Sequence, residues 1–180
     1  MNEINLKKLQ YPIGEFKLPD IINNEDINSW INDIDKFPSE LKKLTSNLST
    51  VELNWKYRAG GWTIRQIVHH CADSHINSYV RFKLTLTEDL PTIRPYYEDR
   101  WAEVSDSLEY DIQNSLDILT ALHNKWVKLL RRLSSEELNR EFIHPEQTNR
   151  ISLKENIGIY AWHSNHHLEH IKLALINRNE

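Results

Sequence analysis

Thr63-Ile64-Arg65-Gln66-Ile67-Val68-His69-His70-Cys71-Ala72-Asp73-Ser74-His75, continuing through Asn77, Tyr79, Arg81 and Phe82, is the stretch whose reading decides the fold. Its apolar side chains fall at Ile64, Ile67, Val68, Cys71, Tyr79, Phe82 and Leu86. That spacing of three and four is the period of an α-helix with one buried face. Gly60-Gly61 breaks the chain just before it, and Thr63 is a helix N-cap residue, so the pattern predicts a helix from Ile64 to Thr87.

Three further segments repeat this pattern. From Asn24 to Leu48 the apolar positions are Ile27, Trp30, Ile31, Ile34, Phe37, Leu41, Leu44 and Leu48. Asn24 is the expected cap, and Pro38 is expected to kink or split the helix. From Glu109 to Leu133 they are Ile112, Leu116, Leu119, Leu122, Trp126, Leu129, Leu130 and Leu133. From Ser152 to Asn177 a capping box, Ser152-x-x-Glu155, opens the last helix. Residues 1–23 carry Pro12, Gly14 and Pro19 and read as an irregular, extended arm. Residues 88–108, with Pro91 and Pro95, form a long connection between the second and third helices, with a short helix expected at Trp101. Ser134-x-x-Glu137 caps one short turn, and Phe142 to Ile151 reads as a loop or a small two-stranded ribbon. Four amphipathic helices in 180 residues imply an all-α fold, a four-helix bundle spanning residues 1–180 as one domain.

Composition removes other classes. Four glycines are about a third of average usage, and no Gly-rich dinucleotide fingerprint, P-loop or nucleophile elbow occurs. A net charge of −4 gives no footprint for nucleic acid. There is no apolar run long enough to span a membrane and no secretory h-region, so a cytoplasmic location is expected. The single cysteine, Cys71, excludes an internal disulfide and reads as a small core residue.

Nine histidines remain to be explained, and seven fall on two helices: His69, His70 and His75 on the second, and His163, His166, His167 and His170 on the fourth. Residues four apart on a helix stand about 6 Å apart along the axis on nearly the same side. Two imidazoles so placed can share one metal ion. His163/His167 and His166/His170 both have that spacing. The core arc of the last helix (Ile157, Tyr160, Ala161, Ser164, Leu168, Ile171, Leu175) favours His163/His167 as the inward pair. On the second helix His75 lies at the centre of the apolar arc. His70 lies on a polar stripe with Gln66, Ser74, Asn77 and Arg81, and pattern alone does not choose between the two.

The segments Gly61-Trp62-Thr63-Ile64-Arg65-Gln66-Ile67-Val68-His69-His70 and Tyr160-Ala161-Trp162-His163-Ser164-Asn165-His166-His167 resemble the second and last helices of the DinB/YfiT-like family, closest to its YfiT branch. The resemblance extends to Tyr11-Pro12-Ile13-Gly14-Glu15-Phe16, to Tyr79-x-Arg81-Phe82-Lys83-Leu84 and to Phe142-x-His144-Pro145, and so covers nearly the whole chain. It implies a four-helix bundle, a cytoplasmic homodimer, and one divalent metal per subunit held by His70, His163 and His167. Cys71 stands where the family usually has leucine.

Three neutral imidazoles with open positions form a catalytic rather than a closed structural site. Zinc is the first expectation and nickel the second; iron and copper also accept nitrogen ligands. Such a metal can activate water for hydrolysis of a small-molecule substrate. Alternatively it can deprotonate a low-molecular-weight thiol, of the bacillithiol type, for transfer to an electrophile. A non-catalytic bundle that binds metal or a small ligand is the third reading. Asn77 and Arg81 are the expected substrate contacts.

Overall fold

The computed structural model describes residues 3–146 and 149–178. Its long helices are α2 (Asn24–Thr45), α3 (Ile64–Thr87), α5 (Gln113–Leu130) and α7 (Leu153–Asn177), with short helices α1 (Glu3–Gln10), α4 (Glu98–Trp101) and α6 (Ser135–Leu138) between them. The long helices form a four-helix bundle. Around the bundle α2 touches α5 and α7, and α3 also touches α5 and α7. Helices α2 and α3, consecutive long helices in the chain, therefore stand across the diagonal, as do α5 and α7. This brings α3 directly beside α7, and these are the two histidine-bearing helices.

Local chemistry sets the helix starts. Asn23, not Asn24, caps α2, accepting from the amides of Glu25 and Asp26, with Asp26 reaching back to close a capping box. Thr63 and Gln66 close the same box on α3, and Ser152 and Glu155 close it on α7. Pro38 neither splits nor ends α2, which runs on to Thr45. The N-terminal arm is not wholly irregular, since α1 occupies Glu3–Gln10 before the chain turns at Gly14. The third helix is shorter than its apolar pattern suggested. Its buried stripe runs through Leu116, Leu119, His123, Trp126, Val127 and Leu130, with His123 rather than Leu122 inward. Strands β1 (Glu141–His144) and β2 (Asn149–Ser152) make the small antiparallel ribbon.

The core divides in two along the bundle axis. One apolar cluster contains Phe37 and Leu41 of α2, Ile67 and Cys71 of α3, Leu116 and Leu119 of α5, and Leu168 and Ile171 of α7. The other contains Ile27 and Ile34, Phe82, Trp126, and Ile157 and Ala161 from the same helices. Between the two, in the sequence of three of the four helices, stand histidines: His75 on α3, His123 on α5, and His163 and His167 on α7. A belt of imidazoles thus crosses the middle of an otherwise apolar bundle.

Gly158 shows how closely the helices approach. A β-carbon there would stand 3.0 Å from the Trp30 ring of α2 and 3.1 Å from Phe16 of the arm. Gly158→Val is expected to destabilise the protein by about 1–3 kcal/mol through overpacking. Urea denaturation measures this, and an unchanged midpoint would contradict the close contact.

Candidate metal centre

Helices α3 and α7 bring His70, His163 and His167 together. One ring nitrogen of each lies within 4.8 Å of the others, and the Nε2 atoms of His70 and His163 are 3.2 Å apart. His70 and His167 are buried, and His163 is partly accessible. The i, i+4 spacing on α7 sets the rings of His163 and His167 edge to face, with centroids 4.5 Å apart at 76°. His70 reaches them from α3, with its ring centroid 4.9 Å from that of His167. Trp62, just before the α3 cap, covers the other side of His70 at 4.6 Å.

The donor set fits a divalent metal. Four-coordinate zinc with Zn–N bonds of about 2.0–2.1 Å needs nitrogens about 3.3 Å apart, close to the contact between His70 and His163. Two neutral imidazoles meeting through Nε2 cannot both present a lone pair there without a proton or a cation between them. Burial, with further repulsion from neighbouring imidazoles, pushes the His70 pKa down to about 3, and burial pushes His163 and His167 well below the usual value. The rings are therefore neutral at ordinary pH, the form in which imidazole binds metal.

The three rings open onto a cavity of about 770 Å³, within the size range of small-molecule sites. Arg58, Arg81, Tyr96, Tyr160, His144 and Trp162 line it. Tyr96 arrives on the long connection. The amide of Ile93 donates to the Ile143 carbonyl and the amide of Ile143 to the Pro91 carbonyl, pinning that connection to β1. Gln66 secures its far end by donating to the Ala102 carbonyl and to Glu103. The arm closes the opposite rim, where Trp162 Nε1 donates to the Gly14 carbonyl.

Of the substrate contacts expected from the polar stripe, Arg81 lines the cavity and Asn77 does not. The Asn77 amide donates instead to the Asp73 carbonyl one turn back on α3. Ser74 and Arg81 turn about 40° and 20° to one side of His70 and Asn77 about 20° to the other, and the cavity lies on the side of Ser74 and Arg81. His75 is fully buried, as its place on the wheel implied, and contacts His163 and His123 rather than the cavity. His166 and His170 are also buried. His170 packs against Tyr57 with ring centroids 3.9 Å apart, and His166 stacks on Trp162 at 4.4 Å. His69 ties α3 to the connection and α5 through the Glu109 carbonyl and Ser115. Cys71 is buried in the core, where desolvation raises its pKa and leaves the thiol inert. Sequence reasoning missed Tyr96 and His123. His123 continues the spacing Leu116, Leu119, His123, Trp126, and that was the available signal. For Tyr96 no local pattern existed.

A histidine-walled cavity inside a four-helix bundle defines a class of small helical proteins with a metal-binding type of centre. Residues 33–171 match the DinB superfamily, and the chain belongs to it. It is 46% identical over 171 residues to YfiT of Bacillus subtilis, covering 95% of this chain and 94% of that protein. It is 50% identical over 162 residues to a protein of Oceanobacillus iheyensis, covering 90% and 93%. The names of both assign them provisionally to the metal-dependent hydrolases. The solved structure of Bacillus subtilis YfiT, described as a probable metal-dependent hydrolase with an unusual four-helix bundle topology, superposes with a TM-score of 0.90 at 45% identity, over 94% of this chain and 98% of that one. A mycothiol-dependent maleylpyruvate isomerase shares the fold at a TM-score of 0.56 and 17% identity, over 84% of this chain and 63% of that one. Among the described residues no helix is long and apolar enough to cross a membrane.

The depressed histidine pKa values set a pH dependence. Burial pushes His70 and His166 down to about 3 and His123 and His170 down to about 4. The unfolded chain takes up these protons near pH 6.5 and the folded one does not. Stability is therefore full above about pH 6.5 and is lost as the pH falls towards 4. Each such ring costs about 1.4 kcal/mol per pH unit over that range. Urea unfolding of the metal-free protein at pH 7.5, 6.5 and 5.5 should show the midpoint falling steeply over the last step. A flat profile would contradict the neutral belt.

Proposed function

We propose that this protein is a metal-dependent hydrolase acting on a small molecule, with His70, His163 and His167 holding one divalent cation, zinc first and nickel second. The observation that carries the reading is the convergence of the three ring nitrogens in the lining of the cavity. The provisional naming of relatives 46% and 50% identical to the chain supports the reaction class. A cation bound there supplies Lewis acidity, polarising a substrate oxygen and acidifying a coordinated water or thiol. The residues of the chain do the rest. Trp62 packs against the His70 ring. Tyr96 and Tyr160 wall the approach, and Arg81 provides a fixed positive charge for an anionic group of the substrate. Ser74 and Tyr160 are bonded to each other, with Tyr160 Oη also donating to the Ser74 carbonyl, so these hydroxyls brace α3 against α7 beside the centre.

One observation favours a second reading, thiol S-transfer. No described carboxylate hydrogen-bonds any of the three rings, and the acidic residues that line the cavity, Glu98, Asp99 and Glu146, lie on its exposed rim segments. Hydrolysis profits from a general base beside the nucleophile. Transfer of a thiol acidified by a cation at His70, His163 and His167 would not need such a base.

Metal analysis of protein purified without a histidine tag should find about one divalent ion per chain in the wild type. It should find less than a tenth of that in His70→Ala and His163→Ala. Full occupancy in both variants would overturn the site. Zinc- and nickel-loaded protein is then assayed with a panel of esters and amides, and separately with chlorodinitrobenzene plus bacillithiol, cysteine or glutathione. Turnover of the first panel, abolished by His163→Ala, is the expected result. Thiol-dependent adducts alone would establish the second reading in its place.

A further inference from the structure

Two of the three candidate ligands end chains of hydrogen bonds that begin at backbone carbonyls. The first starts at Ile34 on α2. Its carbonyl faces His123 Nδ1 at 2.6 Å, His123 Nε2 faces His75 Nδ1 at 2.7 Å, and His75 Nε2 faces His163 Nδ1 at 3.1 Å. The second starts at Gln10, at the end of α1. Its carbonyl faces His170 Nε2 at 3.1 Å, and His170 Nδ1 faces His167 Nδ1 at 3.4 Å.

A carbonyl oxygen only accepts, and a neutral imidazole carries one donor and one acceptor nitrogen. His123 must therefore donate from Nδ1, which leaves Nε2 bare and makes His75 donate from Nδ1. His75 Nε2 is then bare, and His163 must donate to it from Nδ1. The His163 proton is thereby committed to the side facing away from His70, and Nε2 presents its lone pair. The same argument makes His170 donate from Nε2 to the Gln10 carbonyl and accept at Nδ1 from His167, so the His167 proton also sits on Nδ1. Each contact holds one proton and each ring one, so no ring needs a charge. His75, His123 and His170 are all buried, and among the described residues no carboxylate hydrogen-bonds them.

We infer that these two carbonyl-anchored chains fix His163 and His167 in the tautomer that offers Nε2 to a metal, which makes His75, His123 and His170 positioning residues of the centre. This rests on the three-histidine reading given under Proposed function. Hydrogen bonds of this kind behind a metal-binding imidazole typically control affinity by ten- to a hundredfold. Here they also couple the centre to α2 and to the N-terminal arm, neither of which supplies a candidate ligand.

The tautomers are read directly in the metal-free wild-type protein from long-range ¹H–¹⁵N correlation spectra of the imidazoles. His123, His75, His163 and His167 are expected as Nδ1–H and His170 as Nε2–H. Nε2–H forms at His163 and His167 would overturn the inference. Zinc affinity, measured by competition with a chromophoric chelator, supplies the second readout. His75→Leu should weaken it ten- to a hundredfold and release the Nδ1–H form of His163. His75→Gln should recover most of the loss, because its amide offers an acceptor at the place of Nε2 and a donor at its other end. A folded His75→Leu that binds zinc like the wild type would contradict the relay. Where that variant does not fold, His170→Leu and His170→Gln run the same comparison on the second chain. If the wild-type tautomers are as stated and zinc does not bind, the metal reading fails while the tautomer assignment stands.

Discussion

Imidazoles packed into the middle of an apolar bundle have to stay neutral, and each has to hand its one proton to a partner. That constraint organises this protein. Burial disfavours a charged imidazole in the belt, which is why His75, His163 and His167 are held well below the ordinary pKa; at His123 the Asp35 carboxylate offsets only part of that effect. A neutral ring with an unpaired nitrogen would pay for a lost hydrogen bond instead. The available acceptors are the carbonyls of Ile34 and Gln10, so the belt is tied to α2 and to the arm as firmly as to the helices that carry it.

The bundle topology serves the same end. Placing consecutive helices across the diagonal sets α3 against α7, so one histidine from the first and two from the second can meet. The apolar clusters above and below the belt supply the packing, and the belt supplies the centre. The long connection then has work in the fold: pinned to β1 and to Gln66, it brings Tyr96 to the wall of the cavity.

Much of this was legible in the sequence. The start of the helix Ile64–Thr87 was readable because Thr63 is an N-cap residue and Gly60-Gly61 precede it. The i, i+4 pair His163/His167 was readable because spacing on one helix is fixed geometry. The choice between His70 and His75 was not, because it depends on which helix stands beside α3, and nothing local states that α7 rather than α2 does. The resemblance to relatives pointed to His70, which lines the cavity, while His75 lies behind it against His163. Asn77 does not line the cavity, because it turns to the other side of His70 from Ser74 and Arg81. Of the kink or split expected at Pro38 the split does not occur, and α1 was missed in a segment dominated by Pro12 and Gly14. The scarcity of glycine, useful for excluding nucleotide-binding folds, acquires a structural meaning at Gly158, where the helix must admit Trp30.

The central claim is that three neutral imidazoles were brought together to hold one cation. X-ray absorption spectroscopy of the zinc-loaded protein tests it most directly. The account predicts a first shell containing three imidazole nitrogens at about 2.0–2.1 Å, with the remaining position or positions filled by oxygen. A shell dominated by oxygen, with one imidazole or none, would contradict it.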